Sequence, residues 1–176
     1  CTGLHRAGII GVGMGYADDT FMATIDMPEP CFSRADIPAS GEGEYRETIL
    51  GYQVFAVNTG VPHAVIFTDD LDSFPLAEIG PLIRHHETFP EGANVNVVVR
   101  EGEDLLRIRT FERGVEDETY SCGTGATASA AVAHHLGYTG TKVHVETRGG
   151  PLVITLGEKT LMEGHAETVY RGSLTF

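Results

Sequence analysis

Short apolar runs separated by turn residues dominate the chain. "FMATIDM" (Phe21–Met27), "LGYQVFAVN" (Leu50–Asn58), "HAVIF" (His63–Phe67), "ANVNVVV" (Ala93–Val99), "DLLRIRTF" (Asp104–Phe111), "TKVHVET" (Thr141–Thr147) and "PLVITL" (Pro151–Leu156) are rich in β-branched or aromatic residues. Most are bounded by Gly, Pro, Asp or Asn, so each is predicted to be a strand. Two segments have helical spacing instead. "LAEIGPLIRHH" (Leu76–His86) places apolar residues on one face, with Pro81 expected to break or kink it. "TGATASAAVAHHLG" (Thr124–Gly137) is built on alanine, the best helix former, with Gly137 as its stop.

The second helix has an unusual face. Ala126, Ala128, Ala130, Ala131 and Ala133 leave it no wide polar side, which predicts a helix enclosed by strands and not one lying on a surface. The fold class expected is therefore α+β, with one helix surrounded by sheet. "SRADIPASGEGE" (Ser33–Glu44) is the most loop-like stretch. It places a boundary near residue 40, with a short β-portion before it and the main domain over residues 41–176.

Composition narrows the classes of function. A chain of 176 residues is about one domain, and no window approaches the ~18 apolar residues of a membrane span. A soluble, cytoplasmic protein is expected. The net charge of −13, with only 12 Lys and Arg, excludes a basic nucleic-acid surface. Cys1, Cys31 and Cys122 are an odd number with long gaps, so neither a disulfide framework nor a zinc site is expected. "GVGMG" (Gly11–Gly15) lacks a following helix and a P-loop lysine. The paired histidines His85-His86 and His134-His135 diverge on a helix, and Asp69, Asp70 and Asp72 lack the glycine and distal glutamate of a calcium loop. No metal is expected.

The candidate chemistry centres on Cys122. "SCGTG" sets a thiol at a strand-to-helix turn, where glycines let backbone N–H groups converge. A helix N-terminus there is expected to lower the thiol pKa and to hold a carboxylate. Such a pair suits proton transfer at the carbon beside that carboxylate. A buried, inert cysteine is the alternative. Glu112 and Arg113, adjacent and opposite in charge, could bind an ammonium and a carboxylate or form a solvated surface pair.

"ERGVEDETYSCGTGATASA" resembles the second active-site motif of the diaminopimelate epimerase family. "VNTGVPHAVIF" (Val57–Phe67), "FPEGANVNVV" (Phe89–Val98) and "MEGHAETVYRG" (Met162–Gly172) follow the family's order. The resemblance covers about residues 20–172. It implies an epimerase fold, a strongly curved, barrel-like mixed or antiparallel sheet around one central helix. It also implies inversion of diaminopimelate by two cysteines without pyridoxal phosphate or any other cofactor, in the synthesis of lysine and cell-wall precursors. Cys122 would be one thiol, tuned by His63 and Glu112. Gly123 and Thr124 would hold the α-carboxylate, Asn94 the distal end, and Glu112 and Arg113 the ammonium and carboxylate.

The resemblance also marks departures. Val61 stands where the family often has Asn, and either Asn58 replaces it or Asn58 is a turn residue. His165 stands where the family usually has proline. The family's other cysteine, in a "CGNG"-like motif, is not found. Cys1 in "CTGLH" resembles the last strands of the family's first domain, and Cys31 falls in a linker. Residues 1–40 would then be remnant strands and linker, and the chain alone would be inactive until joined by the missing N-terminal half, with a homodimer as a candidate assembly. Proline and hydroxyproline racemases share a similar Cys-Gly-Thr-Gly turn, although "ERGVEDETYS" differs from their "DRSP"-like lead. A non-catalytic amino-acid-binding domain of the same fold is the third reading.

Overall fold

The computed structural model describes residues 11–17, 20–167, 169, 172 and 173; Cys1 lies outside them. In chain order the elements are β1 (Val12–Ala17), β2 (Thr20–Met27), β3 (Arg46–Ile49), β4 (Tyr52–Asn58), β5 (Pro62–Phe67), α1 (Leu76–Arg84), β6 (Asn94–Arg100), β7 (Leu105–Glu112), β8 (Asp117–Thr119), α2 (Gly123–His135), β9 (Lys142–Thr147), β10 (Gly150–Thr155) and β11 (Thr160–His165). The strands form one mixed sheet in the order β1-β2-β11-β10-β9-β7-β6-β5-β4-β3, with β8 added to β7. All seven strands expected from the sequence are present.

The barrel-like expectation needs correction. Among the described residues the sheet does not close, because β1 and β3 form its two edges and do not pair with each other. What it does enclose is α2, which touches β4, β5, β6, β7, β9 and β10. Every residue from Gly125 to Ala133 is buried. Thr127 and Ser129 lie inside this helix without loss because their hydroxyls donate to the carbonyls of Gly123 and Gly125, one turn back, at 2.9 and 2.8 Å. Gly137 at φ 72° ends it as foreseen, with its own N–H on His134 O and the N–H of Tyr138 on Ala133 O.

Two helices cover two faces of the central strands, and the topology dictates which. β5 and β6 are parallel and joined through α1, while β7 and β9 are parallel and joined through α2. Both crossovers step the same way across the sheet, but β6 and β7 are antiparallel. Connections of one hand must therefore fall on opposite faces. Alternate residues follow suit: Val95, Val97, Ala64 and Ile66 join Leu76 and Ile83 of α1 in one core. Val57, Val65, Val98, Leu106 and Ile108 join α2 in the other. Burial on both faces explains why β5 and β6 read as nearly unbroken apolar runs.

Three local features differ from expectation. α1 runs through Pro81 without breaking; Gly80 before it has no Cβ to clash with the proline ring, and a Cβ there would lie 2.8 Å from the Phe111 ring. β4 starts at Tyr52 and not at Leu50, because Leu50 (φ 52°) and Gly51 (φ 85°) are the two turn residues of the β3–β4 hairpin. Cys31 is disulfide-bonded, against the expectation of an unbridged chain, and Cys122 is the free cysteine among the described residues. No helix among the described residues is long and apolar enough to cross a membrane.

Candidate active site

Cys122 is the N-cap of α2, with extended φ and ψ of −132° and 105°. This geometry turns the chain from β8 into the helix and sets the thiol over the first turn. Cys122 Sγ lies 3.3 Å from Thr124 Oγ1, and the backbone N–H groups of Thr124 and Gly125 also act on it. The Gly123-Thr124 turn is therefore present as expected. It is held from below, since the fully buried Thr59 donates its hydroxyl to Thr124 O at 3.0 Å.

The expected lowering of the thiol pKa does not occur. Burial pushes the Cys122 thiol up, and the Glu112 carboxylate adds to the rise, while Thr124 and the two N–H groups pull it down. Cys122 is 8% exposed, so the cost of burying a thiolate exceeds what the helix start returns. Neutral thiol is the resting form.

Glu112 ends β7 half-buried, and its carboxylate has no hydrogen-bond or ion-pair partner among the described residues. Arg113 does not pair with it. Its backbone N–H donates to Asn94 Oδ1 at 2.7 Å, and its Nη1 donates to the carbonyls of Glu91 and Gly92 at 3.1 and 3.3 Å. Asn94 completes this clamp by donating to Pro62 O at 3.3 Å, so its amide joins the ends of β5 and β6 to the turn after β7. Asn58 is similarly engaged: it donates to Asp36 O at 2.6 Å and accepts from Gly60 N–H at 2.8 Å. That is the turn role the sequence allowed for it.

His63 is fully buried at the start of β5. Its Nδ1 is 2.9 Å from Asn96 Nδ2, and its Nε2 has no partner among the described residues. Burial, and next the nearby Arg113 cation, push its pKa down to about 3, so the imidazole is neutral. Asn96 in turn accepts from the Thr110 hydroxyl at 3.0 Å. Neither Asn96 nor Thr110 was singled out from the sequence. The signal available was the pattern "NVN", which sets two amides on one face of an otherwise apolar strand.

The site thus gathers Cys122, the Gly123-Thr124 turn, Glu112 and the His63–Asn96–Thr110 network on the α2 side of the sheet. By contrast, a cavity of about 370 Å³ bounded by Asp72, Arg107, Arg109, Glu118 and Arg148 lies on residues other than these. Its arginines are paired, Arg107 with Asp72 and Arg109 and Arg148 with Glu118. The chemistry available at Cys122 is that of a protonated thiol beside convergent N–H donors.

The family model for diaminopimelate epimerase matches residues 55–175. A diaminopimelate epimerase of Methanothrix thermoacetophila is 55% identical over 94% of this chain, and one of Methanocella arvoryzae is 49% identical over 96%. The match takes up 59% and 61% of those relatives, so the chain spans about three-fifths of their length. Among solved structures, a hydroxyproline epimerase from Agrobacterium vitis aligns over 90% of this chain and 54% of its own, with a TM-score of 0.63 at 17% identity. A probable proline racemase from Agrobacterium radiobacter aligns over 96% and 58% at a TM-score of 0.62 and 15% identity. These likenesses establish the fold.

Proposed function

The chain belongs to the diaminopimelate epimerase family, and from that premise we propose that it supplies one half of a cofactor-independent epimerase acting on diaminopimelate. The observation that carries this reading is the buried Cys122 thiol at the start of α2, beside the Thr124 and Gly125 N–H groups and within the field of Glu112. The substrate α-carboxylate would bind at the Gly123-Thr124 turn, facing the helix N-terminus. With its proton held on by burial, Cys122 is loaded as a donor: its S–H bond breaks as a C–H bond forms on one face of the α-carbon. On the opposite face a second thiolate takes the original α-proton, so a C–H bond breaks and an S–H bond forms. In the reverse direction the two thiols exchange roles.

The second thiol would come from the two-fifths of the enzyme that this chain does not span. Binding of the substrate's ammonium by Glu112, which is free to accept it, and of a carboxylate by Arg113 completes the proposed cradle, with Asn94 and Asn58 holding its walls in place. On this reading the enzyme would act in the cytoplasm, in lysine synthesis.

The test is α-deuterium exchange into diaminopimelate. The chain alone should be silent. Adding a polypeptide that corresponds to the uncovered segment of the Methanothrix relative should give exchange and product, both lost in Cys122→Ala. Exchange by the chain alone, or equal turnover of proline, would overturn the reading.

A further inference from the structure

The buried amide of Asn96 decides which nitrogen of His63 carries the proton. One N–H of Asn96 Nδ2 faces Ala64 O at 3.3 Å. A carbonyl only accepts, so this contact fixes the NH₂ side of the amide and excludes the flipped orientation. Asn96 Oδ1 then faces the Thr110 hydroxyl, which donates to it at 3.0 Å. The remaining N–H of Nδ2 points to His63 Nδ1 at 2.9 Å. Nδ1 must accept, and in a neutral imidazole the proton must then reside on Nε2.

That Nε2–H is the donor for which no partner exists among the described residues. A fully buried donor left without an acceptor destabilises the fold, and a group of this kind marks a place where a catalytic role or a bound partner supplies the acceptor. Asn96, His63 and Thr110 are 0%, 0% and 3% exposed, so the network is built into the interior and is not a surface arrangement. The network also lies at the reacting thiol: a Cβ placed on Gly125 would strike Asn96 Oδ1 and stand 3.3 Å from Cys122 Sγ.

We infer that Asn96, oriented by Ala64 O and Thr110, is a positioning residue that holds His63 in the Nε2–H form, so that His63 serves as a neutral hydrogen-bond donor to an anionic acceptor and not as a proton-abstracting base. The part of this inference that concerns catalysis rests on the epimerase reading above; the tautomer itself does not. A base at this position would need a lone pair on Nε2, and the one lone pair of the neutral ring is taken up by Asn96 at Nδ1.

Long-range ¹H–¹⁵N spectra of histidine-labelled chain test the assignment without substrate. The His63 pattern expected is an unprotonated Nδ1 and a protonated Nε2, unchanged over the pH range in which exposed histidines titrate. Asn96→Asp places an acceptor against Nδ1 and should move the proton there. In the reconstituted enzyme this variant should lose roughly 10²-fold in kcat with KM little altered, and Asn96→Gln should not restore the rate, since its longer side chain cannot keep both contacts. Wild-type chain showing Nδ1–H, or equal tautomers, overturns the inference by itself even if the variant fails to fold. A folded Asn96→Asp chain with Nε2–H retained does so too, because a purely structural Asn96 would change stability and leave the tautomer alone.

Discussion

Asn96 Oδ1 and Cys122 Sγ face the same point in space, the place where a Cβ on Gly125 would stand. The glycine lets the first turn of α2 settle onto the amide network while the thiol stays at its edge. Substitution there should be felt by both. Gly125→Ala is expected to destabilise the chain by about 1–3 kcal/mol, the usual cost of overpacking. Gly123→Ala meets only the sulfur and methyl of Met162, at 2.8 and 2.9 Å, and a flexible thioether can swing aside. Urea titration of the two variants checks the order; an equal loss for both would contradict it.

Alkylation of Cys122 reports its environment. Because burial raises the thiol pKa and Glu112 raises it further, iodoacetamide should react more slowly than with an exposed cysteine at neutral pH. Glu112→Gln should speed the reaction and Thr124→Val should slow it, since the Thr124 hydroxyl favours the thiolate. The rate against pH for the three proteins measures both shifts.

His63 gives stability a defined pH window. Its folded pKa, about 3, lies below the ordinary 6.5, so between those values the unfolded chain binds the extra proton. Stability is then fully present above the unfolded value and falls as pH drops through the window, by about 1.4 kcal/mol per unit. Equilibrium unfolding from pH 7 to 4 should show this slope in the wild type, and His63→Gln should flatten it.

Asn94 is expected to matter for folding before it matters for binding. Asn94→Ala removes the acceptor for the part-buried Arg113 N–H and the donor to the buried Pro62 O, at a cost of about 1–3 kcal/mol. A shifted denaturation midpoint is the expected outcome. An unchanged midpoint with weaker substrate binding would restore Asn94 to direct contact.

Much of the fold was legible because the central strands and α2 carry strong local patterns. Alanine from 126 to 133 and the stop at Gly137 defined the helix almost to the residue. β3 was missed because "RETI" opens with charged residues, and β8 because "DET" is three polar residues that pair only where β7 offers an edge. β1 and β11 acquire strand structure through β2, which pairs with both. In the site, Cys122, His63 and Glu112 were legible as residue types that do chemistry. The direction of the Cys122 pKa was not, because it depends on how deeply the sheet buries the helix start. Asn96 and Thr110 were hidden for a related reason: partners 14 residues apart meet only once β6 and β7 are in register.

β6 serves two masters through parity alone. Odd residues Val95, Val97 and Val99 fill the core under α1, while Asn94 and Asn96 sit on the face that carries the thiol. A single inserted or deleted residue would exchange the two sets, putting amides into hydrocarbon and valines beside His63. A length change in this strand is therefore expected to remove the fold together with the chemistry, whereas single side-chain replacements can touch one without the other.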